Sequence, residues 1–150
     1  MIYFGDSSAL VKRYIRETGT PWVKEILHRS RRSERLITKV TGAEIAAALA
    51  RKQRMGEISD KNRRKALRTF LQHFRRSYTK IEVSDTVVDL AIQLTQRHPL
   101  RGYDAIQLAS AMIIDADIKR AKKPGLTFVS ADNILCEAAQ VEKLLTENPN

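Results

Sequence analysis

Two rhythms alternate along this chain: short unbroken apolar runs, and longer stripes with helical spacing. Ile2-Tyr3-Phe4, Leu36–Val40, Lys80–Val83 and Leu126–Val129 are runs of the kind that form buried strands, and Val141–Thr146 suits a last edge strand. Between them lie amphipathic stripes. Ala9, Leu10, Val11, Tyr14 and Ile15 follow Asp6-Ser7-Ser8, residue types suited to cap a helix. Pro21 fits a first helical position, with Trp22, Ile26 and Leu27 on one face. Ile45, Ala48 and Leu49 give the inner face of a helix opened by Thr41-Gly42-Ala43-Glu44 and broken at Gly56.

Four more helices follow by the same logic. Ser59-Asp60 caps one with Leu67, Phe70, Leu71 and Phe74 inward; Ser84-Asp85 caps one with Val88, Ala91, Ile92 and Thr95 inward, stopping before Pro99. Ala105, Leu108, Ala109 and Met112 then form the stripe of a half-buried helix that Asp104 opens and that reaches about Asp117. A helix through Leu135 and Ala139 follows Ser130-Ala131-Asp132. Short strands alternating with helices imply right-handed crossovers and a parallel sheet covered on both faces. The expectation is a three-layer α/β/α fold with a roughly five-stranded parallel sheet, forming one domain over residues 1–150.

Composition narrows the classes. Hydrophobic residues make up 43%, enough for a sizeable core and too many for a disordered chain. No apolar run is long enough to span a membrane and no signal peptide opens the chain, so a cytoplasmic protein is expected. The single Cys136 excludes an internal disulfide and a Cys-rich zinc site, and its neighbours suit a small core residue. His28, His73 and His98 have no metal-ligand spacing. The charge is less neutral: 27 Lys and Arg against 17 Asp and Glu leave a net charge of +10. That excess favours a polyanionic partner, nucleic acid first. The basic stretch Arg29–Arg35 is expected to be exposed, and the arginines lacing the Ser59–Arg76 helix suit either a solvated face or a binding surface.

Against this basic background the acids fall in a pattern. In parallel α/β sheets working groups lie beyond the carboxyl ends of the strands. Asp6 follows the first strand and Asp132 the strand Leu126–Val129, while Glu44 and Asp104 lie in first turns of helices entered from the same edge. Each has a separate explanation as a cap or as an acid at a helix N-terminus, but those explanations do not predict convergence. Clustered carboxylates repel, and a divalent cation relieves the repulsion. Mg²⁺ suits such an open, oxygen-lined site and can activate water for attack on a phosphodiester.

The stretches Tyr3-Phe4-Gly5-Asp6-Ser7-Ser8-Ala9-Leu10-Val11-Lys12-Arg13-Tyr14, Thr41-Gly42-Ala43-Glu44, Leu100–Ser110 around Asp104, and Thr127–Asp132 resemble the four acidic motifs of PIN-domain nucleases, above all VapC-like toxins of toxin–antitoxin pairs. The resemblance implies a Mg²⁺- or Mn²⁺-dependent endoribonuclease that is silenced by a cognate antitoxin. It places Asp6, Glu44, Asp104 and Asp132 as metal-binding acids and Ser8 and Ser130 as supporting hydroxyls. Gly5 stands where the family often has an acidic or apolar residue, which implies a looser approach to Asp6, and the basic stretch Lys119–Lys123 is longer than the family pattern. A housekeeping PIN nuclease and a noncatalytic nucleic-acid-binding PIN domain are the competing readings. A homodimer is also expected, with the antitoxin in the cleft beside the basic helices; Trp22, Ile26, Phe70 and Phe74 suit either that interface or the core.

Overall fold

A computed structural model describes residues 1–28 and 33–150 of the chain. Its sheet contains β1 (Ile2–Gly5), β2 (Glu34–Thr38), β3 (Thr79–Ile81), β4 (Thr127–Val129) and β5 (Leu145–Glu147), ordered β3-β2-β1-β4-β5. Every pairing is parallel, with Phe4 opposite Leu36 on one side and Phe128 on the other. The helices among the described residues are α1 (Ser7–Leu10), α2 (Thr20–Ile26), α3 (Thr41–Arg54), α4 (Asp60–Arg76), α5 (Asp85–Arg97), α6 (Gly102–Arg120) and α7 (Asn133–Val141). The sheet and the α/β/α layering match expectation.

Alternation along the strands divides the core into two faces. Phe4, Leu36 and Phe128 pack with α5, α6 and α7; Tyr3, Ile37 and Val129 pack with α1, α2, α3 and α4. Phe4 and Phe128 stack with ring centroids 5.9 Å apart at the centre of the first face. From β1 the chain crosses to β2 and β3, then returns over the opposite face to β4 on the other side of β1. The carboxyl ends of β1 and β4 thus flank the point where the winding reverses, the crevice such sheets offer to ligands.

Several boundaries differ from the sequence reading. The first helix ends at Leu10 and tightens into a 3₁₀ turn over Val11–Arg13. β2 stops at Thr38 rather than Val40, β3 covers Thr79–Ile81, and Val141 ends α7 instead of opening β5. Arg35 is buried in β2, donating from Nη2 to the His28 carbonyl at 2.8 Å, so the basic stretch is not wholly exposed; residues 29–32 lie outside the described residues. On α5 the inner face is Val87, Ala91 and Leu94, while Val88 and Ile92 face outward. Ile26 and Phe70 are buried and Trp22 and Phe74 pack against the same core, so this apolar quartet belongs to the interior.

Gly5 does not loosen the approach to Asp6. A Cβ there would lie 2.8 Å from Leu10 Cδ2, so the missing side chain lets α1 fold back tightly on the strand end. At the opposite end of the sheet, buried Asp115 accepts the Leu126 N–H at 2.9 Å and pairs with Lys119 Nζ at 2.6 Å. One lysine of the Lys119–Lys123 stretch therefore helps anchor the start of β4.

Candidate functional site

Asp6 is the first residue beyond β1 and is 2% exposed. Its backbone N–H continues the sheet ladder to the Val129 carbonyl at 2.9 Å, locking its position to β4. As the N-cap of α1 it accepts the Ser8 N–H on Oδ2 at 3.2 Å. The same oxygen accepts the Ser8 hydroxyl at 2.5 Å and the Ser130 hydroxyl at 3.1 Å. Each serine has one proton to donate and gives it to Asp6, so their 3.2 Å approach to each other is not a further donated bond. Their remaining capacity goes to the backbone: Ser8 Oγ accepts the Ala131 N–H at 2.9 Å, and Ser130 Oγ the Asp132 N–H at 3.1 Å. The two hydroxyls expected to support Asp6 thus also tie the β1 end to the β4 end. Asp6 Oδ1 makes a long 3.5 Å contact with Ser7 Oγ.

Asp132 caps α7, accepting the Leu135 N–H on Oδ1 at 3.0 Å. Glu44 lies in the first turn of α3, and Asp104 in the first turn of α6. The N-cap of α6 is Arg101, so Asp104 is not itself the capping residue.

One group in this region was not singled out from the sequence. Gln107, fully buried on α6 one turn beyond Asp104, donates from Nε2 to Glu44 Oε2 at 2.5 Å and to Thr41 Oγ1 at 3.0 Å. Its Oε1 accepts the Thr38 hydroxyl at 3.1 Å, and the two threonine hydroxyls lie 3.0 Å apart. The amide therefore joins β2, α3 and α6 behind Glu44. The available signal was a polar residue one helical turn from Asp104 within an otherwise apolar stretch. Residues 107–111 of α6 are all buried, so the helix is enclosed around most of its girth there, not merely along one stripe.

The electrostatics show that the acids share one field. Burial raises the Asp6 pKa above its ordinary value despite the serine donors. Burial first, then the charge of Asp6, pushes Glu44 up to about 7, with Asp104 adding to the rise and the Gln107 amide opposing it. Asp104 is raised by burial, then by Asp6 and Asp132. Among the described residues no group of His, Cys, Asp or Glu closes into a ready-made metal cage. The donor set nevertheless fits a hard cation that retains much of its water, because Mg²⁺ needs only one or two carboxylates directly. Such a charge would relieve the mutual repulsion of these acids.

Glu44 and Asp104 face an open cleft of about 600 Å³, lined also by Ser7, Ala47, Arg51, Arg54, Arg101 and Tyr103. Acids and guanidinium groups line this cleft together, a composition that could attract phosphate and hold a cation.

Residues 3–141 match the model of the PIN domain. The chain belongs to the PIN-domain family. All four acids lie within that segment. Over 114 residues, 76% of each chain, this PIN domain is 31% identical to ribonucleases VapC45 and VapC49 of Mycobacterium tuberculosis, from strains CDC 1551 / Oshkosh and H37Rv respectively. The solved structure of VapBC2 from Rickettsia felis, bound to a DNA fragment from their promoter, shares its fold with a TM-score of 0.61 at 15% identity. That likeness covers 99% of this chain and 98% of the other. No helix among the described residues is long and apolar enough to cross a membrane.

Proposed function

We propose that this PIN domain is a divalent-metal-dependent endoribonuclease, the toxin of a toxin–antitoxin pair, with residues 1–150 acting as one cytoplasmic nuclease domain. The observation that carries the reading is the meeting of four acids at the reversal point of the sheet, in a chain related to VapC ribonucleases. Asp6, Glu44, Asp104 and Asp132 would hold Mg²⁺ or Mn²⁺. When bound, the ion supplies a polarised phosphodiester and an activated water. Ser8 and Ser130 hold the Asp6 carboxylate in place, and Gln107 orients Glu44. Arg51, Arg54 and Arg101 draw the RNA backbone into the cleft.

The partner is a small antitoxin protein, in keeping with the VapBC assembly of the structural relative, and the toxin itself is a homodimer. Purified protein should cut RNA with Mg²⁺ or Mn²⁺ and stop in EDTA, while Asp6→Asn and Asp104→Asn remain folded but inactive. Undiminished cleavage by both variants rejects the assignment of the acids. A short antitoxin reading frame beside the gene, whose product blocks cleavage, separates toxin from housekeeping nuclease. Sedimentation at micromolar concentration tests the dimer, which a monomer would exclude.

A further inference from the structure

The packing of the fold does not explain Tyr103. It is the second residue of α6, directly before Asp104, and is 61% exposed. Its ring has no hydrogen bond or aromatic partner among the described residues. It nevertheless lines the cleft that Glu44 and Asp104 face, together with Arg51 and Arg54. Neither arginine forms a salt bridge among the described residues. An exposed aromatic face among unpaired cations is the composition of a single-strand binding groove, where rings take bases and guanidinium groups take phosphates.

We propose that Tyr103 is a stacking platform for an unpaired base of the RNA beside the acidic site, with Arg51 and Arg54 gripping the adjoining phosphates. This rests on the ribonuclease reading and adds to it a residue that contacts a base beside the acids. In an A-form duplex each base face is covered by its neighbours, so the ring has nothing to stack on; an unpaired nucleotide can turn its face outward. Every base has such a face, so the platform selects strandedness and tolerates sequence. Its position next to Asp104 puts the stacked nucleotide adjacent to the bond to be cut. A peptide segment could also cover the cleft, but the clustered positive charge favours a polyanion.

The test is fluorescence anisotropy of a labelled, unstructured RNA oligonucleotide in EDTA, where binding is read without cleavage or metal. Tyr103→Ala should weaken binding about 5- to 150-fold, the range for loss of one base–aromatic stack. Tyr103→Phe should bind like wild type. Binding of a fully paired RNA should be unchanged by either substitution. The salt dependence of Tyr103→Ala should keep the wild-type slope, whereas Arg54→Ala should flatten it, because only the arginine displaces counterions. Wild-type affinity of Tyr103→Ala for the single strand, or an equal loss on single and paired RNA, overturns the proposal and assigns the ring to a different occupant such as a protein segment. A wild-type protein that binds neither RNA and also fails to cleave RNA with Mg²⁺ or Mn²⁺ defeats the ribonuclease reading itself, which is a separate result.

Discussion

The Gln107 side chain meets Glu44 at 2.5 Å, from one turn past Asp104 on a different helix. A neutral amide thus contacts an acid whose proton affinity is raised by burial, Asp6 and Asp104, and it lowers that affinity. Gln107→Leu removes this donor and leaves the Thr38 and Thr41 hydroxyls with only each other. Loss of a buried hydrogen bond to a charged group should cost about 1.5–3 kcal/mol. Denaturant unfolding in EDTA well above pH 7, where Glu44 is ionised, measures it, and an unchanged midpoint would show that Gln107 is only a filler.

Stability without metal should fall as pH rises. Glu44 has a folded pKa of about 7 against an ordinary 4.5, so between these values the folded chain holds a proton that the unfolded chain has released. Its stabilising contribution is fully present below 4.5 and is lost as pH climbs through about 7. Asp6 and Asp104 are displaced in the same direction. With partial exposure of Glu44 discounted, its share is on the order of 1 kcal/mol. Glu44→Gln should flatten this part of the pH profile of thermal melts in EDTA; a parallel profile removes Glu44 from the acid cluster.

Metal should reverse the same strain. A cation that binds only the folded site stabilises it by about 2.7 kcal/mol at a hundredfold excess over its dissociation constant. Asp104→Asn removes a charge from the cluster, so without metal it should melt at or above the wild-type temperature and gain less from Mg²⁺ or Mn²⁺. An equal metal-induced shift in both proteins would make Asp104 a structural acid only.

Ser8 both donates to Asp6 and accepts from Ala131. Ser8→Ala should therefore cost about 1–3 kcal/mol through the orphaned Ala131 N–H and the weakened hold on Asp6. RNA cleavage should fall as well, because the carboxylate loses one of its positioning donors. Wild-type activity and stability together would mean that Ser130 alone suffices.

The positions of the acids at the sheet edge were legible from the sequence because strand ends are marked by short apolar runs: Asp6 directly follows one, and Asp132 lies just past Ser130-Ala131 after another. The inner face of α5 was not. Val87, Ala91 and Leu94 form one apolar stripe, and Val88, Ala91, Ile92 and Thr95 form another rotated by one residue. Only docking against α6 decides between them, and that contact is tertiary. Arg35 misled for a related reason: charge suggested solvent, yet its strand position beside Tyr3 draws the stem inside while the guanidinium reaches the His28 carbonyl. Gln107 was hidden because periodicity weighs apolar residues and cannot see a polar group satisfied by partners from β2 and α3.

The Ser130 hydroxyl reaches Asp6 across 124 residues of chain. A ribosome therefore delivers Asp132, the last acid of the edge, long after Asp6, the first. The half-made protein has no weaker version of the site, because β1 cannot gain its β4 neighbour until that strand has emerged. On the proposed chemistry, each copy is harmless to RNA until the chain through Asp132 has emerged and β4 has docked beside β1.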